Sequence, residues 1–414
     1  MVRLTRTATT AVALTLALAL PVAAASTASA TQAQTPTASA AALQTASALS
    51  SPSSPAADTA RSGRARLPLP TGPYGVGSSV LHLVDRSRTD PWVPSADARE
   101  LMVTLHYPAA GHASGRPARY ATTEEAKALV RAYDLEPAVQ AEKLAAMRTH
   151  SRVDARPAKG KHPLVVLSPG FSVSRYTLTS LAEDLASRGY IVASVDHAYE
   201  SNGISLPDGR LLTCVACTAL GEGGVHPSVS TTTRAKDVSF VLDRLTGRHP
   251  AWRHAKSIDT KRVGMAGHSI GGASAATAMA GDPRVKAGVN MDGSFWEPLP
   301  ADGLGGRPFM LLGTDDDTHR PGGEDKSWDQ TWAGLGGWKR WLTVAGSEHF
   351  TFSDSPVITD NFGLPPQSPL PADRAVSITR AYVAAFFDEH LRGVAQPLLA
   401  GPSSANPEVK FHNP

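Results

Sequence analysis

Cysteine is nearly absent from this chain: its 414 residues contain two, Cys214 and Cys217, spaced C-x-x-C. Nothing supplies the second pair that a four-cysteine zinc site needs. Charge of one sign is not in excess either, because 40 Lys and Arg stand against 37 Asp and Glu, a net of +3. That balance gives no footprint for nucleic acid, which would need a concentrated basic patch; weak surface contacts stay open. Apolar runs are short. None after the first 20 residues approaches the roughly 20 residues that cross a bilayer. There is no internal repeat. Residues 31–66 lack aromatics and consist almost entirely of Ala, Ser, Thr, Pro and Gln with a little charge. Such a stretch cannot bury enough surface to offset chain entropy, so it is expected to be a disordered linker.

What is present begins with a targeting signature. Arg3 and Arg6 precede the apolar stretch Ala11–Leu20, and Ala28-Ser29-Ala30 offers an A-x-A cleavage site. Residues 1–30 therefore read as a signal peptide, and the mature chain as exported and secreted, with a folded domain at 67–414. Export favours a Cys214–Cys217 disulfide closing a tight loop in a Gly-rich segment.

From Leu67 onward, short apolar strands alternate with helices. Strands are expected at Leu101–Tyr107, Pro163–Ser168, Tyr190–Asp196, Arg262–Gly267, Val285–Met291, Pro308–Gly313 and Arg340–Gly346. Helices are expected at Leu178–Gly189, Arg234–Leu245, Gly271–Ala280 and Arg374–Leu391. The pattern predicts an α/β fold with a mostly parallel sheet covered on both faces. Sites in such sheets lie beyond the carboxyl ends of the strands. One insertion, Ala121–Ser151, predicts two helices broken at Pro137. It is either a small helical cap over the site or a pair of surface helices without a gating role.

Gly267-His268-Ser269-Ile270-Gly271 lies between a strand and a small-residue helix. This is the context of a G-x-S-x-G nucleophile elbow. A sharp turn holds the serine in a strained backbone conformation, and side chains two residues before and after it would collide. Ser269 is the candidate nucleophile. A hydroxyl is a weak nucleophile without a base, and His349, in Gly-Ser-Glu-His-Phe after the last predicted strand, is the candidate base. Of the other histidines, His268 is expected to pack in the elbow, His197 to line the pocket, and His319 to lie on a loop surface. The acid that orients the base has two candidate places. Asp292 ends one strand; Asp315, Asp316 and Asp317 end the next. Spacing leaves that choice open. An oxyanion site needs two donors. The N–H of Ile270, just after the nucleophile, and the N–H of Phe171, in Ser168-Pro169-Gly170-Phe171, are the candidates. Phe171, Tyr176, Trp296 and Phe350 flank these positions, either as an acyl pocket or as core. No metal or organic cofactor is called for by this chemistry.

The ordered set TGPYGVG, LMVTLHYPA, VVLSPGFSVSR, LASRGYIVASVDH, RAKDVSFVLDRL, GHSIGG, VNMDGSFWEP and GSEHFTFSD resembles the class II platelet-activating-factor acetylhydrolases and their bacterial relatives among secreted esterases and lipases. The resemblance implies an α/β-hydrolase fold and a Ser-His-Asp esterase. Its substrates would be small-molecule or lipid esters, met in part by transient contact with a lipid surface. It carries the acid to Asp292, in Met291-Asp292-Gly293, and places the oxyanion donors at Phe171 and Ile270. The Asp315–Asp317 run resembles secreted bacterial lipases and polyester hydrolases instead, and in those Asp317 would be the acid. A non-catalytic binding module of this fold usually loses the serine, the histidine or the elbow glycines, all of which stand here.

Overall fold

In a computed structural model, the structure describes residues 64–413 except 112. The expected signal peptide and most of the expected linker lie outside the described residues. The chain enters through β1 (Gly75–Asp85) and β2 (Arg99–Ala109), an antiparallel pair. The insertion follows, with β3 (Pro117–Arg119), α1 (Thr123–Ala132), α2 (Ala141–Ala145) and β4 (Arg148–Val153). Then come β5 (His162–Ser168), α3 (Thr179–Ser187) and β6 (Ile191–His197). A two-stranded ribbon, β7 (Ile204–Ser205) and β8 (Leu211–Leu212), leads to α4 (Val215–Gly221) and α5 (Ser228–Thr246). The second half runs β9 (Ile258–His268), α6 (Ile270–Gly281), β10 (Val285–Met291), β11 (Phe309–Thr314), α7 (Lys326–Gly334) and β12 (Lys339–Val344). It closes with α8 (Ser355–Phe362), α9 (Ala372–Arg392) and β13 (Val409–Phe411).

The large sheet has the order β13-β12-β11-β10-β9-β5-β6-β2-β1-β4-β3. From β12 to β6 all neighbours are parallel. Period-two alternation splits each central strand between two cores. Leu164, Val166 and Leu311 pack with Val238, Val241 and Leu242 of α5, the alanines of α6 and Trp328 of α7. Val165, Leu167, Met310 and Leu312 face the other way, onto Leu181 and Leu185 of α3 and Tyr382, Phe386 and Phe387 of α9. Burial on both faces is why these strands read as continuous apolar runs. This is the α/β-hydrolase fold.

One expectation about the fold is corrected. The last part of the insertion is not helix: 148–153 is a strand pairing with β1 and β3. Its alternating Thr149 and Ser151 are buried while Arg148 faces out, a period the helical reading overlooked. The expected Cys214–Cys217 disulfide is present, and it lies at the start of α4 with Cys214 as the N-cap residue.

Candidate active site

The site is assembled where the parallel strands end. β9 delivers its last residue, His268, and the chain reverses at Ser269 with φ 55° and ψ −130° before α6 begins. A side chain pays steric energy for positive φ, so the conformation must be held by its surroundings. The reversal brings Gly267 against Gly271, where a Cβ on the former would lie 2.2 Å from the latter's backbone. A Cβ on Gly271 would lie 2.2 Å from the Ser168 carbonyl and 2.6 Å from that of Pro169. Both neighbours are backbone and cannot step aside. Gly271→Ala is therefore expected to cost about 3 kcal/mol, read as a lower denaturation midpoint with unchanged slope; an unchanged midpoint would contradict the packing described.

β12 and the loop after it bring His349 to the same place. Its Nε2 lies 3.0 Å from Ser269 Oγ and its Nδ1 2.7 Å from Asp292 Oδ2. The His349 side chain is 44% exposed, whereas that of Asp292 is 1% exposed. Asp292 ends β10 at φ 60°, and its other oxygen, Oδ1, accepts from Thr314 N–H at 2.6 Å and Thr314 O–H at 3.0 Å. Burial alone would raise the Asp292 carboxyl; the bonds from His349 and Thr314 and the charges of His319 and His349 outweigh it and hold the group below the usual aspartate range.

The two acid candidates are thus separated by geometry. Asp317 has an 86% exposed side chain and meets Arg320 Nη1 at 3.2 Å. Asp315 turns to Arg320, Thr343 and Lys410. Only Asp292 of the four bonds to His349.

His268 is buried, and its Nε2–H donates to the His349 carbonyl at 2.7 Å. Burial first, then the His349 charge, push its pKa down to about 3; it is a neutral spacer between the elbow and the base loop. His197 does not line a pocket. It is 2% exposed, with Nδ1–H donated to Asp237 Oδ2 at 2.7 Å and Nε2 3.0 Å from Ser168 Oγ. It belongs to a buried ionic cluster under the β5 end: Arg99 pairs with Asp90, Glu200 and Asp237, and Arg234 with Glu200. Arg234 Nη1 also donates to the Pro169 carbonyl at 2.5 Å, and Ser172 N–H donates to the Glu200 carbonyl at 3.0 Å. The cluster thereby fixes the loop that carries Phe171. Ile270 opens α6, where the first N–H groups have no intrahelical acceptor.

Of the four aromatics, Tyr176 is core, stacked edge-on with Tyr120 at 5.2 Å. Phe171, Trp296 and Phe350 are half-buried. Phe350 stands 5.3 Å from the His349 ring and 6.0 Å from Tyr133. Tyr133 caps α1 of the insertion, and its hydroxyl lies 2.8 Å from Ser172 Oγ. One insertion residue thus touches both the base loop and the Phe171 loop.

The expectation that His319 lies on a loop surface is corrected. It is 7% exposed, against the Trp328 ring at 4.9 Å, and lies 3.4 Å from Asp292 Oδ1. The available signal was its place in Thr-Asp-Asp-Asp-Thr-His, directly after an apolar strand.

The family described as platelet-activating factor acetylhydrolase, isoform II, matches residues 59–207 and 239–392. A probable 1-alkyl-2-acetylglycerophosphocholine esterase of Arthroderma benhamiae is 30% identical over 376 residues, 83% of this chain and 93% of that protein. A bis(hydroxyethyl) terephthalate hydrolase of Streptomyces coelicolor is 26% identical over 39% of this chain and 42% of its own. The solved ferulic acid esterase of Streptomyces cinnamoneus superposes with a TM-score of 0.74 at 46% identity, covering 84% of this chain and 99% of that one. The family match spans the elbow, Asp292 and His349 alike, and the chain accordingly belongs to the platelet-activating factor acetylhydrolase isoform II family and is a carboxylic ester hydrolase.

Proposed function

We propose that this ester hydrolase works through a Ser269–His349–Asp292 triad and an acyl-enzyme, on small carboxylic esters, after export and removal of its first 30 residues. The observation that carries the triad is the continuous chain of contacts, 3.0 Å from Ser269 Oγ to His349 Nε2 and 2.7 Å from Nδ1 to Asp292. With Nδ1–H donated to Asp292, Nε2 is left as the acceptor for the Ser269 proton. Ser269 Oγ attacks the carbonyl carbon as that proton moves to Nε2. The N–H groups of Phe171 and Ile270 hold the oxyanion. Collapse expels the alcohol with the proton from Nε2, and water then repeats the sequence on the acyl-enzyme. A fluorophosphonate that labels wild type on Ser269, and fails to label Ser269→Ala, is the direct test; labelling elsewhere or none would sink the triad.

For the acyl group, the aromatic contacts beside His349 favour a flat or aryl moiety, as does the 46% identity to a ferulic acid esterase. Esters of p-nitrophenol from acetate to palmitate, methyl ferulate and an acetylglycerophosphocholine, run in parallel, distinguish this from a phospholipid acetylhydrolase or a polyester hydrolase. Tyr133→Ala is expected to lower kcat/KM for methyl ferulate roughly 3- to 10-fold more than for p-nitrophenyl acetate, the worth of one aromatic contact. Equal losses on both esters would remove Tyr133 from specificity.

A further inference from the structure

We propose that His319 is a positioning residue for the triad, a second histidine that Asp316 presents to Asp292 from the side opposite His349. The inference rests on Asp292 being the triad acid. Its geometry is a closed set of polar contacts. His319 Nδ1 lies 2.9 Å from Thr314 Oγ1, 3.0 Å from Asp316 Oδ1 and 3.4 Å from Asp292 Oδ1. Thr314 Oγ1 is also 2.8 Å from Asp316 Oδ2 and 3.0 Å from Asp292 Oδ1. The one hydroxyl proton of Thr314 is thus shared between the two carboxylates, and the Nδ1–H of His319 is directed to Thr314 Oγ1 and Asp316 Oδ1 with Asp292 Oδ1 as its ion-pair neighbour. The backbone N–H of His319 donates to Asp316 Oδ1 at 2.9 Å as well. Behind the ring, Trp328 packs edge-on at 4.9 Å and Trp341 Nε1–H donates to the His319 carbonyl at 2.8 Å. The imidazole can neither rotate away nor withdraw.

The charged groups facing His319 are acidic: Asp316 on its own loop, Asp292 from the β10 end, and Asp325 from the start of α7. Burial disfavours the imidazolium; the bond to Asp316 and the charges of Asp292, Asp316 and Asp325 outweigh it and raise the pKa above the usual histidine value. The row of charges is then Asp316⁻, His319⁺, Asp292⁻ and His349. A cation behind Asp292 keeps the carboxylate ionised and aimed at His349. The sign is definite: the contribution is present while His319 is charged, on the acid side, and is lost as pH rises through the titration of His319.

The test is the pH profile of kcat/KM for p-nitrophenyl acetate in wild type and His319→Gln, from about pH 5 to about pH 9. Glutamine keeps a donor but carries no charge. The acid limb is expected to move up by roughly half a unit to one unit, so that the rate at pH 6 falls roughly 3- to 10-fold while that at pH 8.5 stays within roughly twofold. Superimposable limbs overturn the proposal. A uniform loss at all pH values also overturns it, since that is what a packing defect would give. Ring ¹⁵N shifts of wild-type protein test it without any variant: His319 should be the imidazolium at pH 6, and a neutral ring there overturns it. Fluorophosphonate labelling of Ser269 in the same samples keeps the outcomes separate, because failure of the triad abolishes labelling in wild type, whereas failure of the His319 role leaves it intact.

Discussion

Ser269→Ala is expected to lower kcat/KM at least roughly 10³-fold while leaving the protein as stable as wild type. The first half follows from chemistry, because no other hydroxyl among the described residues bonds to His349 Nε2. The second follows from the elbow. Ser269 holds φ 55° and ψ −130°, and alanine carries the same Cβ, so the strain of about 1–3 kcal/mol is kept. What is lost is one hydrogen bond to a half-exposed imidazole. Ser269→Gly should therefore be equally inactive and melt higher, because glycine tolerates positive φ. His349→Ala is expected to match the serine variant in rate. The double variant should be no worse than either, since the two act on one proton transfer. Thermal melts alongside initial rates check all of this. Substantial activity in Ser269→Ala would remove the nucleophile assignment.

Much of this molecule was legible because its signals are short-ranged. The central strands are buried on both faces, so Val285–Met291 and Phe309–Thr314 stand out without knowledge of their neighbours. Ser269 announces itself because the elbow string is local, Gly267 meeting Gly271 within five residues of chain, although Gly271 is pinned by the distant Ser168 and Pro169 carbonyls. His349 follows from its place after β12. The acid was different. Asp292 and the Asp315–Asp317 run both end parallel strands, and β10 and β11 are adjacent in the sheet. Composition cannot tell which carboxylate faces His349; the positive φ at Asp292 and its bond to Nδ1, with Arg320 and Lys410 holding Asp315 and Asp317 elsewhere, favour Asp292. His319 was read as loop surface for the same reason, since the contacts that bury it, to Thr314 and Trp328, share no periodicity with it. The strand at 148–153 was lost because its pairing partners lie far away in sequence.

The buried cluster of Arg99, Arg234, Asp90, Glu200 and Asp237 was also unreadable, since its members come from three separate stretches of chain, around 90–99, at 200 and on α5. Arg88, which bonds Asp85 and Asp237, brings a third positive charge to the three negative ones. Buried ion pairs contribute little net stability. Their value here is geometric: through Arg234 and the Glu200 backbone they hold Pro169 and Ser172 on either side of Phe171.

Asp292→Asn is expected to lower kcat roughly 10⁴-fold, and Asp317→Asn to change it less than roughly twofold. The large effect comes from a tautomer. Thr314 N–H is a fixed donor 2.6 Å from Asp292 Oδ1, so an asparagine there must turn its carbonyl oxygen toward it. Its NH₂ then faces His349 Nδ1, which can only accept. The imidazole proton is forced onto Nε2, the atom that should receive the Ser269 proton. Flipping the amide would set NH₂ against the Thr314 N–H and against His319, leaving donors facing one another in a site nearly closed to water. The flip would restore the productive tautomer only at that cost, so the disabling orientation prevails while the packing survives, and the variant should melt close to wild type. Asp317 offers the contrast, since its carboxylate is in solvent and its partner Arg320 retains Asp315 at 2.8 Å. Rate constants for the two variants on one ester decide the matter. A collapse in Asp317→Asn with a mild effect at Asp292 would mean that the loop after β11 swings inward in solution and supplies the acid, as the resemblance to secreted polyester hydrolases would then require.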